Sequence, residues 1–547
     1  MKKTLSIPHF SKVAIVILCL AMLLTACGGT PAPSSNTQAS TQEVKEPVRF
    51  IAAQAADIQK LIPFQTTDAI SGLVINLISE GLLSYEDDYK LVTRLAESYK
   101  FSDDFLSLTF TLHDNITFHN GTPLTSADVK FTYEEAMSDL HGSNQTKEYE
   151  FIESIETPDD LTVVFNFHYI YGPTLNRMTM AIICKSYCED EGFLDNNYSA
   201  YSIKAIGTGP YKISDWLVGD RLTLVANTDY WQGKPEVDEV VIRVIPDNTV
   251  RLQAFERGEI DFIFGVPVEE VDALAEQSDK FTVLSYPQLR FYYMTWNTQT
   301  ELFKDLALRQ ALTLATDKDT IISTLLNNHA QKSITPYAPN HPYYNNDLEE
   351  VYPFDLEKAA QVLADAGYTM GDDGILINPG GLRCSFETMV PSNAAQSESI
   401  ALLLKEWYKT IGVELNLVRM DVAQIYDIMD AVIAGKAPED TYVSMMGSMG
   451  TGIDPDMTRY MHTKGGLNDY RYSNSEVDAL LDKGVKLVNI EDRKPIYHEI
   501  QTILAADLPC LMIYFPESNN AVSNKFEGMT ATPNGQVSLL HRVTVKK

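Results

Sequence analysis

The stretch LTFTLHDNITFHNGTPLTSADVKFTYEEAM, at residues 108–137, carries a clear local structural pattern. Its first residues alternate between apolar and polar side chains, which predicts a strand with one buried face. Asn120-Gly121 is a dipeptide typical of tight turns. Thr125 stands three positions before Asp128, a spacing that predicts a capped helix start. The stretch therefore predicts a strand, a turn and a helix in succession.

Strand and helix patterns alternate over most of the sequence after residue 48. Residues 240–245 are apolar and largely β-branched, residues 249–257 have helical character, and residues 260–264 are apolar again. Gly258 is suited to ending the helix between the two strands. A strand, a helix and a second strand of these lengths predict a βαβ crossover. We therefore expect an α/β protein in which helices cover mixed sheets.

The stretch at 108–137 resembles the signature of the peptide and nickel class of ABC-importer solute-binding proteins, known as family 5. Other segments fit the same pattern in order: EGLL (80–83), LAES (95–98), GTGPY (207–211), NTDYW (227–231), ERGEID (256–261), RQAL (309–312), residues 355–368 and YSN (472–474). The resemblance implies a two-lobed periplasmic-binding-protein-like fold of type II, in its large three-domain variant. Mixed sheets would be joined by a strand hinge, and solute would be held in the cleft between the lobes.

The resemblance also implies domain boundaries. The first lobe would contain domain I and its extension, domain II, and the second lobe would be domain III. The corresponding residues are 48–88, 204–289 and 506–547 for domain I, 89–203 for domain II and 290–505 for domain III. The hinge strands would lie near residues 289–296 and 508–515.

Two segments would supply the solute contacts. The first lies just past the first hinge strand, where the family presents aromatic and amide groups, at Tyr292, Tyr293, Trp296 and Asn297. The second is a loop, and its candidate residues are Gly447, Ser448, Met449, Gly450 and Thr451. Because strand residues alternate between faces, the other interpretation is that two of the first four side chains point into the core.

Thr451 departs from the family pattern. In dipeptide-binding relatives this place in the loop carries an aspartate for the amino terminus of the peptide. A buried ammonium group without a carboxylate is costly, so the threonine removes the main reason to expect a free peptide amine there. Asp454 and Asp456 match the Asp-Pro-Asp turn of the family rather than the anchor.

The solute itself stays open between three classes. Nickel carriers of the family use arginines after a Pro-Thr-Leu segment, and here Arg177 follows Pro173-Thr174-Leu175 without the second arginine. Nickel chelates therefore stand behind short peptides. An oligosaccharide is the third candidate, because the chain has 28 tyrosines that could form stacking surfaces.

Composition excludes several other functions. The formal net charge of −31 repels phosphate backbones, so we expect no nucleic-acid partner. The sequence shows no G-x-S-x-G elbow, phosphate loop or paired-carboxylate motif, which favours a binding protein over an enzyme. We therefore expect no catalytic residue, no cofactor and no metal site.

Four cysteines lie beyond the amino-terminal segment, at Cys184, Cys188, Cys384 and Cys510. They are too few for a disulfide framework in so long a chain. Cys184 and Cys188 are close enough in sequence to form a disulfide in an oxidising exterior. Structural or free thiols are the preferred interpretation.

The amino terminus has the three-part layout of a secretory signal. Lys2, Lys3 and Lys12 precede the apolar residues 13–24, and Cys27 follows Thr25-Ala26. This arrangement resembles a lipobox, which implies a signal peptide at residues 1–26 and an acylated Cys27. Residues 27–47 are rich in Ser, Thr, Pro and Gln and predict a flexible tether. We expect a protein anchored by lipid to the extracytoplasmic face of the cell membrane.

These features predict a monomeric, non-enzymatic solute-binding lipoprotein. It would capture a short peptide and deliver it to the permease subunits of an ABC importer and their ATPases. The other candidates are a binding protein for a nickel chelate or an oligosaccharide, and a surface receptor for peptide signals that is not coupled to import.

Cys27→Ala tests the lipid anchor. Without the thiol no acyl chain can be attached, so we expect the protein in the culture or periplasmic fluid rather than in the membrane fraction. Immunoblots of fractionated cells measure this, with Cys19→Ala as the control that should keep its membrane association. Membrane retention of the Cys27→Ala protein would contradict the lipobox interpretation.

Overall fold

A computed structural model of the protein describes residues 46–87, 89–532 and 540–546. The predicted signal peptide, Cys27 and the tether through residue 45 lie outside the described residues. None of the helices in the described ranges combines the length and the apolar character that crossing a bilayer requires.

Strands and helices alternate along the described chain. The strands are β1 Arg49–Gln54, β2 Leu83–Tyr85, β3 Leu91–Thr93, β4 Ala96–Phe101, β5 Ser107–Leu112, β6 Ile152–Asp159, β7 Thr162–Phe167, β8 Tyr211–Leu217, β9 Arg221–Ala226, β10 Glu239–Val244, β11 Phe262–Ile263, β12 Phe281–Pro287, β13 Arg290–Thr295, β14 Ala330–Lys332, β15 Thr369–Met370, β16 Leu376–Ile377, β17 Ser385–Pro391, β18 Glu414–Met420, β19 Met446–Gly450, β20 Cys510–Ser523, β21 Phe526–Glu527 and β22 Thr544–Val545. The helices are α1 Ala69–Ile78, α2 Ser126–Met137, α3 Thr174–Arg177, α4 Lys185–Asp190, α5 Tyr201–Lys204, α6 Asn248–Glu256, α7 Val268–Ala275, α8 Leu306–Leu314, α9 Lys318–Leu326, α10 Leu356–Asp365, α11 Ala395–Thr410, α12 Val422–Ile433, α13 Thr458–Met461, α14 Ser475–Gly484 and α15 Ile490–Asp507. Short 3₁₀ helices lie at Thr146–Glu148, Leu194–Asn196, Glu439–Thr441 and Leu540–Arg542.

The stretch at 108–137 folds as its sequence predicts. Strand β5 lies between β4 and β7 in a four-stranded sheet, with Leu108, Phe110 and Leu112 buried. Helix α2 begins after Thr125, whose backbone N–H and hydroxyl both donate to the carboxylate of Asp128 at 2.9 Å. The predicted strand and capped helix are confirmed.

A mixed sheet runs through the centre of the described structure in the order β19-β13-β20-β11-β1-β10-β9-β8, and β12 and β14 also pair with β20. Strand β1 is parallel to β10 on one side and to β11 on the other. Helix α6 connects β10 to β11. The predicted βαβ crossover is therefore confirmed, with β1 inserted between its two strands.

Strand β20 joins two parts of the sheet. Its first residues, up to Pro516, pair with β13 and β14, whereas residues 517–523 pair with β12. The buried apolar clusters divide in the same way, because those containing residues 50–284 are separate from those containing residues 289–515. We call described residues 46–287 and 517–546 the first half, and residues 289–516 the second half. The two segments predicted as hinge strands, in β13 and β20, are hydrogen-bonded neighbours within the second half, next to this boundary.

The four described cysteines are buried free thiols. Cys184 and Cys188 are one helical turn apart, with the N–H of Cys188 donating to the carbonyl of Cys184 at 3.1 Å. Side chains four positions apart on a helix have Cβ atoms about 5–6 Å apart, beyond the separation that a disulfide spans. The suggestion that these two form a disulfide is therefore wrong for this structure, and the preferred interpretation as free thiols is confirmed.

Asp469→Asn should change how stability depends on pH. Burial, assisted by the charge of Asp430, raises the pKa of Asp469 to about 7 from 3.8. The native state thus binds this proton more tightly than the unfolded state, and stability falls as the pH rises from about 4 to 7. Asparagine carries no charge, so the variant should match the wild type at pH 4 and exceed it by about 2–4 kcal/mol at pH 8. Urea unfolding at both pH values measures this, and a difference that does not vary with pH would contradict it.

Candidate functional site

A cavity of about 1380 Å³ lies between the two halves of the protein. One wall comes from the first half, including Asn144, Glu148 and Arg177, and the other from residues 451–467 of the second half. We call it the cleft cavity.

A second cavity, of about 900 Å³, lies at the carboxyl ends of β1 and β11. It is lined by Gln54 and Phe264, and it shares Gln145, Asn176 and Arg177 with the cleft cavity. We call it the sheet cavity. Ligands of α/β proteins commonly bind outside the carboxyl ends of sheet strands, so this position favours one continuous binding site formed by both cavities.

Two buried donors point to a polar ligand. The Nε2 atom of Gln54 and the Nε atom of Arg177 are both buried and have no hydrogen-bond partner among the described residues. Gln54 lines the sheet cavity and Arg177 lines both cavities. Because buried donors are nearly always satisfied, these two are available to acceptor groups of a ligand or to water.

A polar network crosses the cleft beside these donors. Arg493 forms two hydrogen bonds with the carboxylate of Asp454, at 2.8 and 2.9 Å, and the Arg493 side chain is only 2% exposed. Asn176, from the first half, donates to the same carboxylate at 2.7 Å and accepts from the hydroxyl of Tyr85 at 2.7 Å. We call these four residues the Asp454 network. It fastens α3 of the first half to the loop after β19 in the second half.

Further contacts hold the halves together. The N–H of Gly172 donates to the carbonyl of Val485 at 2.6 Å. A side chain at Gly172 would meet the Leu487 carbonyl oxygen at 2.4 Å, so only glycine permits this approach. Glu148 pairs with Arg177 within the first half and lies 3.6 Å from Arg459 of the second half. We call this arrangement, in which the two halves contact each other directly, the closed arrangement.

Charges in the cleft cavity are unevenly compensated. Arg493 neutralises Asp454, but the carboxylate of Asp456 accepts only from the backbone and hydroxyl of Thr458 in the hydrogen bonds described. Burial raises the pKa of Asp456. This wall of the cavity can therefore interact favourably with a cation.

The first predicted group of solute contacts lies mostly in the core. Tyr293, Trp296 and Asn297 are buried. The indole of Trp296 donates to the carbonyl of Leu508 at 2.7 Å, and the amide of Asn297 donates to the carbonyl of Tyr442 at 3.0 Å. Strand β13 lies between β19 and β20, so the residues in it and just after it are surrounded by the second half. Their polar groups therefore already have partners within the chain.

Tyr292 is the exception in this group. It is half-buried and stacks on Tyr514, with ring centroids 4.8 Å apart. Its neighbours Phe291 and Tyr293 pack in the core on the other face of β13, as strand alternation requires. A direct role for any of these residues in binding stays a prediction.

The second predicted group is brought next to the first. Strand β19 is antiparallel to β13, with Gly447 opposite Tyr293 and Ser448 opposite Tyr292. Met449 is buried in the core, whereas Gly450 is exposed. The hydroxyl of Ser448 accepts from Arg290 at 3.0 Å. The two segments therefore meet as paired strands beside the boundary between the halves.

Among the residues of the two predicted groups, Thr451 lines the cleft cavity. It is 6% exposed, and its N–H donates to the carbonyl of Leu289 at 2.9 Å. Its hydroxyl lies 3.5 Å from the same oxygen. The place predicted for the family aspartate thus holds a neutral side chain beside a backbone acceptor.

Sequence reasoning missed Asn176 and the role of Asp454 in joining the halves. The signal available was the Pro173-Thr174-Leu175 segment, which drew attention to Arg177 but not to its neighbour. Within the described ranges, no group of three or more His, Cys, Asp or Glu side chains is arranged to hold a metal ion.

Comparisons with known proteins identify the family. The model for bacterial extracellular solute-binding proteins, family 5 Middle, matches residues 90–470. The oligopeptide-binding protein AppA of Bacillus subtilis is 29% identical over 529 residues, covering 95% of each chain. A solved structure of AppA from Bacillus subtilis in complex with a nonapeptide is 27% identical, with a TM-score of 0.71, and covers 92% of this chain and 100% of that chain.

A second solved structure is that of the ABC transporter substrate-binding protein CtaP from Listeria monocytogenes. It is 26% identical, has a TM-score of 0.79, and covers 92% of this chain and 100% of that chain. These neighbours confirm the predicted α/β periplasmic-binding-protein-like fold. The chain belongs to the bacterial extracellular solute-binding proteins of family 5.

Proposed function

We propose that this protein captures a short peptide between its two halves and delivers it to an ABC importer. The observation that carries the proposal is the cleft cavity of about 1380 Å³, which adjoins the sheet cavity of about 900 Å³. Drug-sized ligands occupy about 300–1000 Å³, so the two cavities suit a longer molecule than a metal chelate. The likeness to AppA, an oligopeptide-binding protein, supports the same choice.

Arg177 is the proposed contact for a peptide carboxylate. It lies where the two cavities meet, and its side chain is 34% exposed. Glu148 holds part of the guanidinium, while the buried Nε–H lacks a partner among the described residues. A carboxylate that accepts from this donor would form a charge-assisted hydrogen bond.

The amino group of the peptide needs a different partner from the one common in dipeptide-binding relatives. Thr451 offers no negative charge, and Asp454 is already neutralised by Arg493. Asp456 lines the same cavity and forms no ion pair among the described contacts. We therefore assign the amine to the wall that contains Asp456.

Closure is the proposed signal to the importer. The Asp454 network and the Gly172–Val485 contact join the halves directly, so they exist only in the closed arrangement. A ligand that also contacts both halves shifts the population towards this arrangement. The proposed lobes are domains I and II on one side and domain III on the other, with the hinge in β13 and β20.

The proposed setting is the extracytoplasmic face of the cell membrane. The lipobox-like segment around Cys27 supports a lipid anchor, and the likeness to an ABC transporter substrate-binding protein supports permease and ATPase partners. A monomer bound to a permease needs no catalytic chemistry. Loss of peptide uptake on deletion of the gene would separate this function from that of a signal receptor.

Mass spectrometry of molecules that co-purify with the full chain in detergent tests the solute class. We expect short peptides, because the cavities enclose polar groups over a length suited to an extended chain. Recovery of a sugar or a metal chelate without peptides would contradict the proposal.

Arg177→Gln tests the carboxylate contact. The variant should bind a co-purified peptide, resynthesised with a free carboxyl end, about 10–100-fold more weakly than the wild type. A peptide with an amidated end should bind both proteins with similar affinity, because it has no charge to lose. Isothermal titration calorimetry measures all four combinations, and an equal loss for both peptides would contradict the assignment.

Asn176→Asp tests closure. The new carboxylate would face Asp454 across the cleft, and the repulsion should favour the open arrangement. We expect at least about 10-fold weaker peptide binding and a larger radius of gyration by small-angle X-ray scattering. Asn166→Asp is the matched control, because Asn166 also lies beside a carboxylate, that of Glu156, but within the first half. Equal effects of both variants would contradict a specific role in closure.

A further inference from the structure

A third cavity, of about 640 Å³, differs in character from the other two. Its walls are largely apolar, with Tyr89, Tyr99, Phe101 and Phe105 from the first half and Tyr343 and Ile490 from the second. We call it the aromatic cavity. Because both halves contribute walls, it is complete only in the closed arrangement.

The aromatic cavity adjoins the cleft cavity. Tyr85, Asn176 and Ile453 line both. Two of these residues, Tyr85 and Asn176, belong to the Asp454 network that joins the halves. A side group of a molecule bound in the cleft would pass beside this network to reach the aromatic cavity.

Several aromatic and apolar side chains around this cavity remain exposed. Tyr99 is 40% exposed, Phe105 is 41% exposed and Ile490 is 41% exposed. Phe105 lies in the turn between β4 and β5, and its ring contacts that of Phe101, with ring centroids 5.6 Å apart. Large apolar groups gathered around one opening are typical of binding sites, whereas exposed apolar groups scattered singly are not.

The backbone supplies an independent observation. Tyr89 has a φ of +61° and Phe105 a φ of +57°, in the left-handed region that bulky residues rarely adopt. Phe105 holds this conformation in a turn in which its N–H donates to the carbonyl of Ser102 at 3.0 Å. Glycine or asparagine would fit such a turn at lower cost. Strained residues of this kind cluster at ligand sites.

We propose that the aromatic cavity is a specificity pocket for one aromatic or branched apolar side chain of the bound peptide. The inference rests on the proposed function, because the occupant is part of the ligand in the cleft. Filling the pocket buries apolar surface from both halves at once, which favours closure. Peptides with such a side chain at one position are then preferred over peptides that lack it.

The experiment uses pentaalanine and five pentapeptides that carry a single phenylalanine at each position in turn. Binding to the full chain in detergent is measured by isothermal titration calorimetry. Burial of one phenylalanine side chain should strengthen binding about 10–100-fold at the position that reaches the aromatic cavity.

Phe105→Asn identifies the pocket. We expect this variant to lose most of the gain from phenylalanine while still binding pentaalanine, and its melting temperature should not fall, because asparagine tolerates the left-handed turn. Phe354→Asn is the matched control, since Phe354 is similarly exposed, at 43%, and does not line the aromatic cavity. The control should keep the full gain.

The outcomes separate the two levels of the proposal. If no peptide binds the wild type, the proposed function fails and the pocket with it. If all six peptides bind equally, peptide capture stands and the pocket is overturned. If Phe105→Asn keeps the same gain as Phe354→Asn, phenylalanine is recognised elsewhere and the assignment of this cavity is wrong.

Discussion

The hydrogen bonding of strand β20 is the constraint on which the rest of the structure depends. This one strand pairs with β13 and β14 up to Pro516 and with β12 from Glu517 onward, so it belongs to both halves. Buried backbone groups must keep their partners, and the strand therefore cannot separate from either side without a large cost. The shared strand therefore keeps the two halves joined side by side.

A shared strand also explains why closure can be secured by few contacts. Since β20 already holds the halves side by side, little orientational freedom is left for the Asp454 network to remove. Arg493 compensates Asp454 within the second half, so opening leaves no unpaired buried charge. Within this network, opening would break the contact between Asn176 and Asp454. The contacts that join the halves are thus few and polar, so they can break when the protein releases its solute.

Sequence analysis succeeded where the determinants are local. Thr125 and Asp128 are three residues apart, and their capping bonds follow from that spacing. It could not locate Asn176 against Asp454, because those residues are 278 positions apart and meet only through the fold. It also could not decide the orientation of Trp296, which follows the last residue of β13, where strand alternation no longer applies. The family resemblance supplied the arrangement that local patterns lack.

Thr451 shows how one substitution reshapes the chemistry of a site without disturbing its frame. Its backbone keeps the hydrogen bond to Leu289, and its hydroxyl lies near the same carbonyl oxygen. An aspartate at this buried position would place a charge near that oxygen and would need a cation to offset the cost of desolvation. With threonine, this position carries no such desolvation cost. In the proposed binding mode, the energy of binding depends less on a fixed amine anchor and more on Arg177, on Asp456 and on the apolar surface that closure brings together.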